Sequence, residues 1–305
     1  MQPVIAVDSD GTVLDAMTPK HRRAFTPALI DVWQIGRGAR EAAELFLHLN
    51  LRSRHRGANR FEALGLFLRG WSASPDAALP PAGAYFAWLE SGAPRSEAAL
   101  ERALAGRPGD LALARALAWS REVNRRCAAL PPPAPFAGAA GALRAAAAGA
   151  RVAVVSGGNG AAIRAEWARA GLAPPASEFL TQEAGSKTAI LRRLAATATR
   201  GRARSPGAPP RAGISDAPPS AAAGDAPPDA GAGDGTPAVL MLGDSLLDEE
   251  AARAAGCAFF PIVPGAEPES WAAFRADALP VFLSGRWTPE TAARQREKFH
   301  AALGD

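Results

Sequence analysis

The sequence predicts an α/β fold, a parallel sheet whose first and second strands are separated by an all-helical insertion. Three observations predict it. Residues 4–7, 151–155 and 238–242 are short aliphatic runs, apolar on both faces, as in strands covered on both sides. Each run stops on a cluster of Asp, Ser or Gly, the edge of an open α/β sheet where ligands bind. Between the first two runs, residues 16–133 carry helical periodicity and little strand signal.

The first run ends in Asp8-Ser9-Asp10-Gly11-Thr12, and Gly11 lets the chain turn sharply there. Two carboxylates one residue apart repel unless a cation lies between them or one keeps its proton, and either arrangement serves catalysis. The same residues also fit a plain polar turn.

In the insertion, Ala42, Leu45, Phe46 and Leu49 share one helical face, as do Phe61, Leu64, Phe67 and Leu68, and Leu113, Leu117 and Val123. Tyr85, Phe86, Trp88 and Leu89 mark a further turn or two. Four of the seven tryptophans fall in this region, enough apolar bulk for a core of its own. Its most polar stretch, residues 52–60, holds Arg54, Arg56, Asn59 and Arg60. Guanidiniums facing an active site there would hold a carboxylate or second phosphate bidentately, and a solvated loop fits the stretch equally. Lys20 and His21 read as surface residues and His48 as an ordinary helix residue. Pro131, Pro132, Pro133 and Pro135 close the insertion.

The second strand, 151–155, runs into Ser156-Gly157-Gly158-Asn159 and a helix to Gly171, a turn whose free N–H groups suit an anion. A short third strand is predicted at 179–181 and a helix from Ser186 to about Ala196. Lys187, in that helix's first turn, opposes the helix dipole and is a lysine in a chain that prefers arginine. Residues from about 200 to 237 are rich in Ala, Pro, Gly, Ser and Asp and carry Ile214 as their one large aliphatic residue, which predicts a disordered insert. The run at 238–242 then stops on Gly243-Asp244-Ser245-Leu246-Leu247-Asp248, with Asp248 near the first turn of a helix to Ala255. A fifth strand at 258–263 precedes a tail containing Trp271, Phe274, Val281 and Phe282 and a last helix at about 289–303.

Bulk properties exclude several classes. Lys20, Lys187 and Lys298 are the only lysines, the formal net charge is +4, and the arginines are spread through helices, so no nucleic-acid footprint is present. Cys127 and Cys257 lack metal or redox spacing and suit a reducing, cytoplasmic compartment. No segment reaches the roughly 20 apolar residues of a membrane span. Nothing in the sequence fixes the oligomeric state.

Taken together, these motifs resemble the haloacid dehalogenase-like (HAD) superfamily. Asp8-Ser9-Asp10-Gly11-Thr12 matches its first motif, Ser156 its second, Lys187 its third and Gly243 to Asp248 its fourth. The resemblance covers 1–15 and about 134–285, and the helical insertion stands where the family places a type-1 cap. It implies a Rossmann-like core of 1–15 and 134–305 with a cap of 16–133. It further implies Asp8 as nucleophile and Asp10 as acid and base. Mg²⁺ would be held by Asp8, the Asp10 backbone carbonyl and Asp244, with Asp248 in or beside the shell. Ser9, Ser156, Gly157 and Lys187 would hold and balance the phosphoryl group. Asp10 argues against dehalogenase or phosphonatase chemistry. The expectation is a phosphatase for a small phosphorylated metabolite, with a phosphomutase or an inactive phospho-ligand-binding protein as alternatives.

Overall fold

The computed structural model describes residues 2–172, 175–200 and 237–304. Between 201 and 236 the expected insert lies outside the described residues. Five strands, β1 (Val4–Val7), β2 (Arg151–Val155), β3 (Glu178–Leu180), β4 (Val239–Gly243) and β5 (Ala258–Pro261), form one sheet ordered β3-β2-β1-β4-β5, every pairing parallel. The predicted α/β class is therefore correct.

Strand alternation distributes the side chains between two cores. Ile5, Val7, Val152, Val154, Leu240 and Leu242 pack on one face with Trp167, Trp271 and Phe274. Val4, Ala6, Ala153, Val155, Val239 and Met241 pack on the other with Ile190, Leu191 and Phe299. Burial on both faces explains why the three central strands read as unbroken apolar runs.

After β1 the chain leaves the sheet into helices at Ala39–Leu51, Arg60–Trp71, Gly83–Glu90, Glu97–Ala105 and Leu111–Ala128. A third core, built from residues such as Trp33, Phe46, Phe67 and Trp119, lies among them. The chain enters and leaves this region side by side: Asp15 N–H donates to Ala134 O at 2.8 Å and Phe136 N–H to Val13 O at 2.9 Å.

Two helical stretches do not follow from simple periodicity. Met17–Lys20 continues through a π-helical turn at His21–Phe25 into Thr26–Trp33, and Glu267–Ala273 continues through one at Phe274–Ala278 into Leu279–Leu283. Each π turn comes directly before a proline in the second position of the next segment, Pro27 and Pro280. Proline has no N–H and its ring crowds the carbonyl four residues back, and a widened turn relieves both defects.

Candidate active site

β1 is the middle strand, so whatever follows it is flanked by the ends of β2 and β4. Asp8 N–H donates to Leu242 O at 3.0 Å, which sets Asp8 against the end of β4. Asp8, Asp244 and Asp248 are buried, and one carboxylate oxygen from each lies within 4.8 Å of the others. Glycine permits the crowding. Gly11 has φ +83°, and a Cβ there would stand 2.3 Å from Asp244 Oδ2; a Cβ on Gly243 would stand 2.4 Å from Asp248 Cβ.

Burial raises the Asp8 pKa well above the usual carboxylate range; the Lys187 ammonium opposes this, and Asp248 and Asp244 add to it. Burial also raises Asp244, against the pull of Arg56. Lys187 bridges the cluster, 2.5 Å from Asp248 Oδ1 and 3.1 Å from Asp8 Oδ2. Its own burial disfavours the charge, but Asp248 and Asp8 outweigh that and hold it protonated. Asp248 also closes a reciprocal cap with Ser245, whose hydroxyl donates to Oδ2 at 2.6 Å.

Three all-oxygen donors, buried and mutually repelling, fit a hard divalent cation such as Mg²⁺. Asp244 is already oriented, accepting from Thr12 Oγ1 at 2.6 Å and from Arg56 Nε at 2.6 Å. The Asp10 side chain is outside the cluster and accepts from Lys20 Nζ at 2.6 Å; Lys20 also lies 3.6 Å from Glu166.

A cavity of about 530 Å³ opens over this edge and reaches the helical insertion. Asp8, Asp10, Ser156, Gly157, Lys187 and Asp244 line it. Ser156 Oγ accepts from Gly158 N–H at 3.2 Å, and Asn159 caps the helix Gly160–Arg169. Ser9 does not line it: the residue is fully buried and its hydroxyl accepts from Trp167 Nε1 at 2.9 Å.

The arginine-rich stretch divides. Arg60 and Asn59 line the cavity, and Asn59 also caps its own helix by accepting from Phe61 N–H. Arg56 is buried against Asp244 and Leu51 O, and Arg54 lines a separate surface depression with Glu62 and Leu247. Two surface readings need correction. His21 is buried, with its ring against Phe25 at 4.6 Å and Nδ1 2.9 Å from Met17 O; Lys20 reaches Asp10 in the cavity. The π-helical turn, which simple periodicity does not reveal, carries His21 inward.

Sequence reasoning gave Thr12 no role beyond its place in the first motif, and it missed Glu97, Ser120 and Asn124. Ser120 and Asn124 extend the inward stripe of Leu113 and Leu117 at helical spacing, and polar residues on an apolar stripe were the available signal.

No family model matches the sequence, and no curated protein matches it. Solved structures do. CbbY from Rhodobacter sphaeroides, in complex with phosphate, is 21 % identical over 87 % of both chains with a TM-score of 0.42. A predicted phosphoglycolate phosphatase from Haemophilus somnus is 17 % identical over 85 % of this chain and 84 % of its own, with a TM-score of 0.44. A haloacid dehalogenase-like family protein from Streptococcus pneumoniae is 11 % identical over 88 % and 90 %, with a TM-score of 0.37. These distant likenesses carry no functional argument, which rests on the residues themselves. Among the described residues no helix is long and apolar enough to cross a membrane.

Proposed function

We propose that this chain is a HAD-type, Mg²⁺-dependent phosphatase that hydrolyses a small phosphorylated metabolite, with 1–15 and 134–305 as core and 16–133 as cap. The observation that carries the reading is the Asp8, Asp244 and Asp248 cluster bridged by Lys187 on the carboxyl edge of the sheet, beside the Ser156 turn.

Asp8, the Asp10 backbone carbonyl and Asp244 would hold the metal, with Asp248 in or beside the shell and paired with Lys187. When bound, Mg²⁺ neutralises phosphate charge and polarises the phosphoryl group. In the first half-reaction an Asp8 carboxylate oxygen attacks phosphorus while the bond to the ester oxygen breaks, and Asp10, entering the step as the carboxylic acid, gives that oxygen its proton and becomes the carboxylate that pairs with Lys20. In the second, water attacks phosphorus and yields a proton to Asp10, the bond to Asp8 breaks, and inorganic phosphate leaves. Lys187 holds charge complementary to both the nucleophile and the transferring group, and the Ser156 hydroxyl with the Gly157 N–H would hold phosphoryl oxygens. Lys20 holds Asp10 in place. The two free cysteines suit a reducing, cytoplasmic setting.

The test is phosphate release from a panel of phosphate esters with and without Mg²⁺, in wild type and Asp8→Asn. Metal-dependent release that falls by about 10³-fold or more in the variant is the expected result. Transfer between substrate positions without release would point instead to a phosphomutase, and tight binding with neither would point to an inactive binder.

A further inference from the structure

The cavity's helical wall carries a polar network that the hydrolytic steps do not use. Arg60 Nη1 donates to Asn124 Oδ1 at 2.7 Å and contacts Ser120 Oγ at 3.3 Å. Ser120 Oγ donates to Glu97 Oε1 at 2.7 Å, and Asn124 Nδ2 donates to the same oxygen at 2.8 Å. The Arg60 guanidinium also stands 5.4 Å from the centre of the Phe25 ring. All five residues line the cavity that holds Asp8, Asp10 and Lys187.

We propose that Glu97, Ser120, Asn124 and Arg60 form a hydroxyl-binding subsite, and that the substrate is the phosphate monoester of a neutral sugar or polyol. This rests on the phosphatase reading above. A hydroxyl both donates and accepts, and the network offers both: a carboxylate that receives two bonds on Oε1, an amide, a hydroxyl and a guanidinium.

Charge separates this from the alternative of a second anionic group. Glu97 offsets Arg60 through two neutral side chains, so the subsite has no net positive charge. The other cations of the cavity wall are engaged. Lys20 is held by Asp10, Lys187 by Asp8 and Asp248, and Arg95 by the Glu62 carboxylate at 3.7 Å and the carbonyls of Leu89 and Ala93. His21 adds no positive charge near neutrality, since burial lowers its pKa to about 4. An anionic leaving group would meet the Glu97 carboxylate with no unspent cation to offset its desolvation. A polyol needs none.

The experiment measures kcat/KM, with Mg²⁺, for a hexose phosphate, glycerol phosphate, phosphoglycolate and p-nitrophenyl phosphate, in wild type, Glu97→Gln and Ser120→Ala. The sugar or polyol ester is expected to exceed phosphoglycolate by about 10-fold or more. Each variant is expected to lower the ratio of sugar-ester to aryl-ester kcat/KM by about 10-fold. A preference for phosphoglycolate, or an unchanged ratio in both variants, overturns the subsite while leaving the phosphatase reading intact. If no ester is hydrolysed the phosphatase reading fails, and calorimetric titration of the same esters decides the subsite. Tighter binding of the sugar or polyol ester than of phosphoglycolate, weakened in Glu97→Gln, supports it; equal binding overturns it.

Discussion

The Arg56 guanidinium lies 2.6 Å from Asp244, with side chains 4 % and 3 % exposed, so a residue of the helical insertion is ion-paired to a carboxylate at the carboxyl edge of the sheet. Gly57 follows, with φ +80°, and a Cβ there would stand 3.0 Å from Ser245 Cβ and Oγ. The loop carrying both residues therefore seats directly on the end of β4. A cation held at Asp244 and the Arg56 charge act on the same carboxylate.

Replacing Arg56 by Gln removes one partner of a buried pair and leaves Asp244 uncompensated. The metal-free protein is expected to lose about 3 kcal/mol, a fall of several degrees in melting temperature. Mg²⁺ should recover more stability in Arg56→Gln than in wild type, because the metal no longer shares Asp244 with a guanidinium. Thermal melts with EDTA and with saturating Mg²⁺ check this. Equal metal-induced shifts in the two proteins would show that Arg56 and the metal do not compete.

Gly11→Ala tests the close approach behind the cluster. The added Cβ would sit 2.3 Å from Asp244 Oδ2 and 2.7 Å from Arg56 Nη2, on a backbone with φ +83°. Both the strain and the displaced ion pair are destabilising, by an expected 2 kcal/mol or about that. Mg²⁺ affinity measured by calorimetry should fall as Asp244 moves. A variant with wild-type stability and metal affinity would contradict the packing.

Lys187 is paired with Asp8 at 3.1 Å and with Asp248 at 2.5 Å, and it opposes the rise that burial gives the Asp8 pKa. Lys187→Gln should destabilise the metal-free protein by about 3 kcal/mol and lower turnover by about 10²-fold or more. Chemical denaturation and steady-state rates check the two effects separately. Loss of turnover without loss of stability would assign Lys187 to the substrate alone.

These residues also show what the sequence could disclose. Asp8, Asp244 and Asp248 were legible because parallel strands buried on both faces leave unbroken apolar runs, and the acids mark where those runs stop. Lys187 stood out as a lysine in an arginine-rich chain. The same signal applied to Lys20, but its position in a proline-containing helix with a π turn concealed its reach to Asp10. Arg56 could not be separated from Arg54 and Arg60 by periodicity, since it lies in a turn between helices and its partner is 188 residues away. The Ser120 and Asn124 pair was hidden for a different reason: polar residues on that stripe have meaning only once the neighbouring helix, with Glu97, is in place beside them.

His21 gives the pH dependence its sign. Burial lowers its pKa to about 4, against the ordinary 6.5, with Arg56 and Lys20 adding to the decrease and the Met17 carbonyl and Asn50 opposing it. Between these values the unfolded chain binds the proton that the folded protein excludes. Stability from this residue is therefore complete above pH 6.5 and is lost as pH falls toward 4, by up to about 3 kcal/mol. His21→Gln retains a donor for Met17 O but does not titrate. Urea melts of both proteins between about pH 7 and about pH 5 should show wild type losing stability faster on acidification, with carboxylate contributions common to both. Parallel pH curves would mean that His21 is solvated and charged in the folded protein.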